Sequence, residues 1–413
     1  MLYTNDYNEV VSIIIMLILY LLVYLFMISK IKISKKINMF ILIAIILRIT
    51  LTITDVYFFP LPYSGGDSVT FEFHAYQLLQ GNISLKSYTF DNYPKLIYFV
   101  YLVIGRKPIV IRAINGVLSM LTGALIYKSI NLAVKNIKKA SIGMLIFLLF
   151  PNSLAFSSVI LRESSIAFFS TLSIYYFIKY VQDNKVTDIL KSYVFILAGS
   201  LLHAGIIFIS IPYVYYILKV KTKDLSDKMK KGIIYIALIL IVFIIFGFPE
   251  IFLGKLSFLK SPKILFDKLN GANMYGVSEN IGSAYLVSFR IYSFKDLILY
   301  LPLKVFYFLF SPMFWNIRGI LDIGAVILDS VFYIVFILKI FLLIKKLKKK
   351  GKKDLLLTTL MYSLILVMVV YAMGTIASGT AIRHRYKLLS LIIIIIMYLE
   401  DRVDKELIND LNL

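Results

Sequence analysis

Long apolar runs separated by short lysine-bearing segments dominate this chain, and stretches such as Ser12–Met27 and Leu391–Met397 are apolar on every helical face. That pattern predicts transmembrane helices rather than amphipathic helices or alternating strands. Residues 10–28 and Asn38–Phe59 are the first two predicted spans, and Lys30, Lys32, Lys35 and Lys36 between them mark the cytoplasmic side. The apolar stretch after Asp91-Asn-Tyr-Pro-Lys95 ends at Ile104 and is too short to cross the ~30 Å hydrocarbon core, so it predicts an interfacial or re-entrant helix. Pro108–Val134 is the third span. Ser141–Leu161 is the fourth, kinked at Pro151, and Ser164–Tyr180 is the fifth.

Loop lysines decide the ambiguous segments. Thr187–Lys219 is longer than one crossing needs; two short helices around His203-Ala-Gly205 keep the lysines between Lys219 and Lys231 inside, and a single crossing would put them outside. Gly232–Phe248 then leads out to a polar region, Pro249–Lys295. By the same parity Asp296–Trp315, with prolines at 302 and 312, predicts an outer or re-entrant helix, because a crossing there would place the cluster Lys345–Lys353 outside. Ile320–Ile344 and Leu355–Ile376 follow, and Leu388–Leu399, extended back into Arg385–Tyr386, closes the chain. The expectation is an all-α polytopic transmembrane bundle of about eleven spans, with the N-terminus outside, the C-terminus cytoplasmic, and interfacial or re-entrant helices on the external face. Residues 1–413 read as one integral membrane domain with external loops at about 60–107 and 249–318.

Composition agrees: 60% apolar residues and a mean hydropathy of +0.85 exceed what a soluble core absorbs. The net charge of +22 lies in short loops between spans, which argues against a nucleic-acid partner. The chain has no cysteine, hence no disulfide and no thiolate chemistry. Asp6 and Glu9 precede the first apolar run where a signal peptide would be basic, so that run is read as a retained span.

One polar stretch interrupts the apolar pattern early, Tyr63-Ser-Gly-Gly-Asp-Ser-Val-Thr-Phe-Glu-Phe-His-Ala75. Gly65-Gly66 permits a sharp turn, and a short helix begins near Asp67, which is either a helix cap or a general base or metal ligand at the membrane surface. Parity places Asp67, Glu72, His74, Arg162, Glu163, His203, Arg318, Arg383, His384, Arg385 and Lys387 on the external face, together with Arg106, Lys107 and Arg112. Cations on that side run against the insertion bias, and phosphate accounts for them, because guanidinium forks match phosphate oxygens. Leu161-Arg-Glu163 joins two spans with almost no linker, and Arg383-His-Arg-Tyr-Lys387 carries four basic-type side chains in five positions. His203 also fits a hydrogen-bonded structural residue. Arg48 is read as the sole ionisable residue well inside a predicted span, with Asp55 nearer the outer end.

Asp67 in the first large external loop, the aromatic-and-histidine helix after it, Pro151 with Leu161-Arg-Glu163, and the late Arg383-His-Arg-Tyr386 resemble the polytopic bacterial glycosyltransferases of the GT-C type. They are also similar to the O-antigen and exopolysaccharide polymerases. The loop follows the second span here, where GT-C enzymes have it after the first. The resemblance implies a sugar donor carried on polyprenyl phosphate or pyrophosphate, transferred at the outer leaflet of the bacterial plasma membrane in cell-surface polysaccharide assembly, alongside other assembly proteins.

In that scheme Asp67 is the catalytic residue, taking the acceptor's proton. Arg162, Arg383, Arg385 and Lys387 stabilise the leaving phosphate, Glu72 is a supporting or acceptor contact, and His74 and His384 hold sugar or phosphate. No metal-ligand spacing is diagnostic; a divalent metal is possible and no other cofactor is implied. The rival class is a lipid-linked saccharide flippase, which should carry polar groups at the bilayer midplane and paired repeats.

Overall fold

The computed structural model describes residues 9–31, 34–221, 266, 269–270, 283–286, 288–347 and 354–411. The predicted crossing Gly232–Phe248, most of the loop 249–295 and the lysines from Lys348 to Lys353 lie outside the described residues. Among the described residues the chain is helical with no strand. It divides into two compact units, Met1–Leu202 and His203–Leu413.

The first unit contains α1 (Glu9–Lys30), α2 (Lys35–Phe58), α3 (Asp67–Leu79), α4 (Asn92–Ile104), α5 (Pro108–Val134), α6 (Ile137–Leu149), α7 (Pro151–Ser157), α8 (Glu163–Asp183) and α9 (Val186–Leu202). Helix α5 is its centre: 72% of its apolar window is buried, against 28% for α1 and α2, and it packs on α1, α2, α6, α7 and α8. Only a stripe of α1 is buried, Ser12, Met16, Tyr20, Val23 and Met27 at three- and four-residue spacing, and the remaining apolar faces are exposed as lipid contact requires. Gly116 permits the α1–α5 approach, since a Cβ there would stand 1.9 Å from the Tyr20 hydroxyl.

The break between α6 and α7 bends the chain by 56°. Pro151 has no N–H to continue the helical ladder, so the last carbonyls of α6 need other donors. Arg48 supplies one from inside α2. Its guanidinium donates to the Leu148 and Ala44 carbonyls at 3.0 Å and to Ser119 and Ser153 Oγ at 2.9 and 3.1 Å. The fully buried arginine thus ties α2, α5, α6 and α7 through neutral oxygens.

Helix α4 has 13 residues, too few to span. Its buried face carries Tyr93, Ile97 and Tyr101, while Leu96, Phe99, Leu102 and Val103 are exposed. An outward apolar face on so short a helix suits the membrane interface. The Thr187–Lys219 run is interrupted at His203, where the backbone is extended (φ −155°, ψ 104°).

The second unit contains a 3-10 turn (Ala204–Ile209), α10 (Ile211–Lys221), α11 (Phe294–Phe310), α12 (Ile320–Leu347), α13 (Leu355–Gly374), α14 (Ser378–Tyr386) and α15 (Leu389–Leu411). Helix α15 packs on α12 and α13, and Leu391–Met397 is buried on every side. The pattern predicts that this helix reaches back into Arg385–Tyr386; instead those residues end α14, and α15 begins at Leu389 and runs on through a charged C-terminal stretch. The pairs Arg402–Asp354, Lys339–Glu400 and Lys405–Asp401 hold that stretch.

Among the described residues five helices are long and apolar enough to cross a membrane, α1, α2, α5, α12 and α13, or six if the bent α6–α7 pair is one span. The all-α, multi-pass architecture is therefore present, with five or six candidate crossings among the described residues. Helix α8 has the length of a span but buries Ser164, Ser165, Ser170, Thr171 and Ser173 inside the unit.

Candidate functional site

The polar end of the first unit is framed by three arginine–carboxylate pairs. A wide π turn, Thr54–Phe58, ends α2 and carries Asp55 against Arg112: both guanidinium Nε and Nη2 donate to Asp55 Oδ2, at 3.0 and 2.8 Å, and Asp55 Oδ1 accepts from the Leu61 N–H at 2.9 Å. Glu72, on the buried side of α3, accepts two parallel bonds from Arg106, at 2.9 and 3.0 Å, and a third from the Tyr101 hydroxyl at 3.1 Å. The Arg106 guanidinium lies 3.9 Å from the Tyr76 ring centroid. Asp91 caps α4 through the Tyr93 N–H and pairs with Arg162. Asn115 completes the frame, accepting from Tyr93 Oη at 3.0 Å and donating to the Val159 and Leu161 carbonyls at 2.8 and 3.0 Å, so the turn before Arg162-Glu163 is bonded to α5.

Asp67 lies at the start of α3, five residues before Glu72. Gly66, at φ +50°, makes the left-handed turn that starts α3, and Asp67 is the first helical residue with an exposed side chain rather than the cap itself. His74 is half-buried, with Nδ1 2.9 Å from the Tyr88 hydroxyl and its ring 4.7 Å from Phe90. Burial, reinforced by the Asp91 carboxylate, raises the Tyr88 phenol above its ordinary value, so it stays an O–H. Lys95 Nζ lies 5.7 Å over the same ring. Glu163 is buried at the start of α8.

The other sequence-derived residues fall in the second unit. Arg385 is fully buried, pairs with Asp329 on a second π turn, Val326–Ser330, and donates to the Phe308 and Ser311 carbonyls at 2.6 Å. The guanidinium lies inside the protein. Arg318 is exposed and makes a local bidentate pair with Asp322. His384 lies 4.9 Å from His203, ring to ring, and stacks on Tyr371 at 4.7 Å. Thr375 Oγ1 gives its one proton to the Tyr371 carbonyl at 2.6 Å, so it accepts from His384 Nδ1 at 3.0 Å, which fixes that ring's tautomer. Lys387 is buried with Nζ 5.7 Å over Tyr371, and Arg383 is half-buried. Among the described residues no three His, Asp or Glu side chains gather closely enough to share a metal ion.

Sequence reasoning missed Asp329 as a buried acid; Arg48 is not alone inside a span. The signal was present, an aspartate within the apolar run Ile320–Ile344, but its partner lies 56 residues away. Asp91 meets Arg162 across 71 positions, a pairing that spacing along the chain does not signal.

A family model described as dolichyl-phosphate-mannose-protein mannosyltransferase matches residues 75–259. The matched stretch is less than half of the chain; it begins after Asp67, Glu72 and His74 and includes Asp91, Arg106, Arg112, Arg162, Glu163 and His203. No curated protein and no solved structure matches the chain. The similarity supports an enzyme of the glycosyltransferase class with a lipid-linked donor, in a multi-pass membrane protein.

Proposed function

We propose that this chain transfers a sugar from a polyprenyl-phosphate or pyrophosphate carrier to an acceptor hydroxyl, with Asp67 as the general base. One observation supports that residue above its neighbours. Asp55 and Glu72 are buried inside the unit and Asp91 is half-buried, whereas Asp67 is exposed at a glycine-hinged helix start where a substrate hydroxyl can approach it. The acceptor O–H gives its proton to the Asp67 carboxylate, its oxygen bonds the anomeric carbon, and the carbon–oxygen bond to phosphate breaks with the electron pair leaving on phosphate. Lys95 and Lys107 are cations at this end placed to meet the developing charge. The three arginine–carboxylate pairs keep α3, α4 and the α7–α8 turn in place, and an ordered frame of this kind lowers the reorganisation needed at the reacting centre.

The further reading is that this polar end faces the outside of a bacterial plasma membrane, with the N-terminus out, in cell-surface polysaccharide assembly. Purified protein in liposomes with a radiolabelled polyprenyl-phosphate sugar should cleave the donor and pass the label to an acceptor, and a sugar nucleotide should give no product. Label that crosses the bilayer on an intact donor would make the protein a carrier instead. Orientation is tested separately, since the chain has no native cysteine. Ser87→Cys, in the exposed loop before α4, should react with an impermeant thiol reagent in intact cells, and Ser34→Cys, before α2, should not. The reverse labelling would place the polar end on the cytoplasmic side.

A further inference from the structure

A second polar feature lies at the opposite end of α5, about 40 Å along the helix from Pro108. There a cavity of about 560 Å³ opens among Lys30 at the end of α1, Tyr127, Lys128 and Asn131 on α5, Lys135 just beyond it, and Tyr175 on α8. Its volume is that of a small-molecule site. Three ammonium groups line it with two phenols and an amide, and among the described residues no carboxylate does. Lysines in inner loops serve as topology signals, and that role needs only charge near a span end. It does not need three of them around one cavity shared by four helices.

We propose that this cavity binds the phosphate headgroup of an anionic phospholipid. The lipid source is favoured by what adjoins the cavity. Leu132 and Ile137 form part of its wall, and below Lys30 the outward face of α1 is apolar, with Leu21, Leu22, Leu25 and Phe26 exposed. Lys128 Nζ stands 5.8 Å from the Phe26 ring. Acyl chains therefore lie along α1 while the phosphate accepts from the lysines, an arrangement that a basic pocket between helices at a membrane surface supplies. The site is separate from the polar end carrying Asp67 and is independent of the glycosyl-transfer reading.

Native mass spectrometry of the full chain in detergent, titrated with phosphatidylglycerol, tests this. Wild type should retain the lipid, and each lysine changed to glutamine should weaken retention roughly fivefold, with K30Q/K128Q/K135Q about a hundredfold weaker. The triple arginine variant should bind as wild type, which separates lost charge from lost folding. Phosphatidylcholine should bind markedly less well than phosphatidylglycerol. Unchanged retention in the triple glutamine variant, or equal binding of the two lipids, overturns the site. Displacement of bound phosphatidylglycerol by millimolar inorganic phosphate would make it a free-anion site and overturn the lipid assignment.

Discussion

Replacing Asp67 by asparagine should lower turnover of a polyprenyl-phosphate donor by about 10²- to 10⁴-fold, the range for losing a general base, with almost no change in melting temperature. The structure makes the second half of that expectation sharp. Asp67 is the first residue of α3 and not its cap, and the exposed asparagine keeps its size and polarity. The variant also gives up a carboxylate near a helix N-terminus, worth about 0.3–1 kcal/mol at an exposed site. A residue that serves only the helix dipole would show that small stability change and wild-type turnover. Steady-state kinetics beside thermal melting therefore distinguishes the two roles, and wild-type turnover in the variant would remove Asp67 from the chemistry.

Arg385→Met should destabilise the protein by about 3–5 kcal/mol, the cost of breaking a buried pair and leaving the other charge behind. Asp329 would remain buried without its guanidinium, and the Phe308 carbonyl at the end of α11 would lose a donor; the Ser311 carbonyl still accepts from Ser330 Oγ at 3.0 Å. Adding Asp329→Leu should recover a good part of the loss, because removing both charges removes the uncompensated one. The measurement is thermal melting in detergent for the two single variants and the double variant. A ligand-binding arginine predicts a different pattern, a normal melt with impaired turnover in Arg385→Met and no rescue by Asp329→Leu. The basic run at 383–387 thus divides: Arg385 is bound into the packing of α11 and α12, and Arg383 is half-buried nearby in sequence.

Helix positions were legible from the sequence because a membrane span is a local property, a run of apolar residues long enough to cross hydrocarbon. The predicted spans 10–28, Asn38–Phe59, Pro108–Val134, Ile320–Ile344 and Leu355–Ile376 each correspond to a helix long enough to cross. The break at Pro151 and the turn at Gly66 were also legible, since a missing N–H and a positive φ belong to one residue, and the break at His203 followed from a run too long for one crossing and from the lysines after it. Helix α8 was legible as a helix but not as a buried, serine-lined one, because burial depends on what surrounds it. Charge pairing between distant positions was not legible. Arg112 meets Asp55 across 57 positions, Arg106 meets Glu72 across 34, and Arg48 caps Leu148 across 100. The same residue types read along the chain as a set of outward cations waiting for phosphate. Only the tertiary structure decided which were already held by carboxylates, because an ion pair forms between groups that folding brings within about 3 Å and local spacing says nothing of that distance.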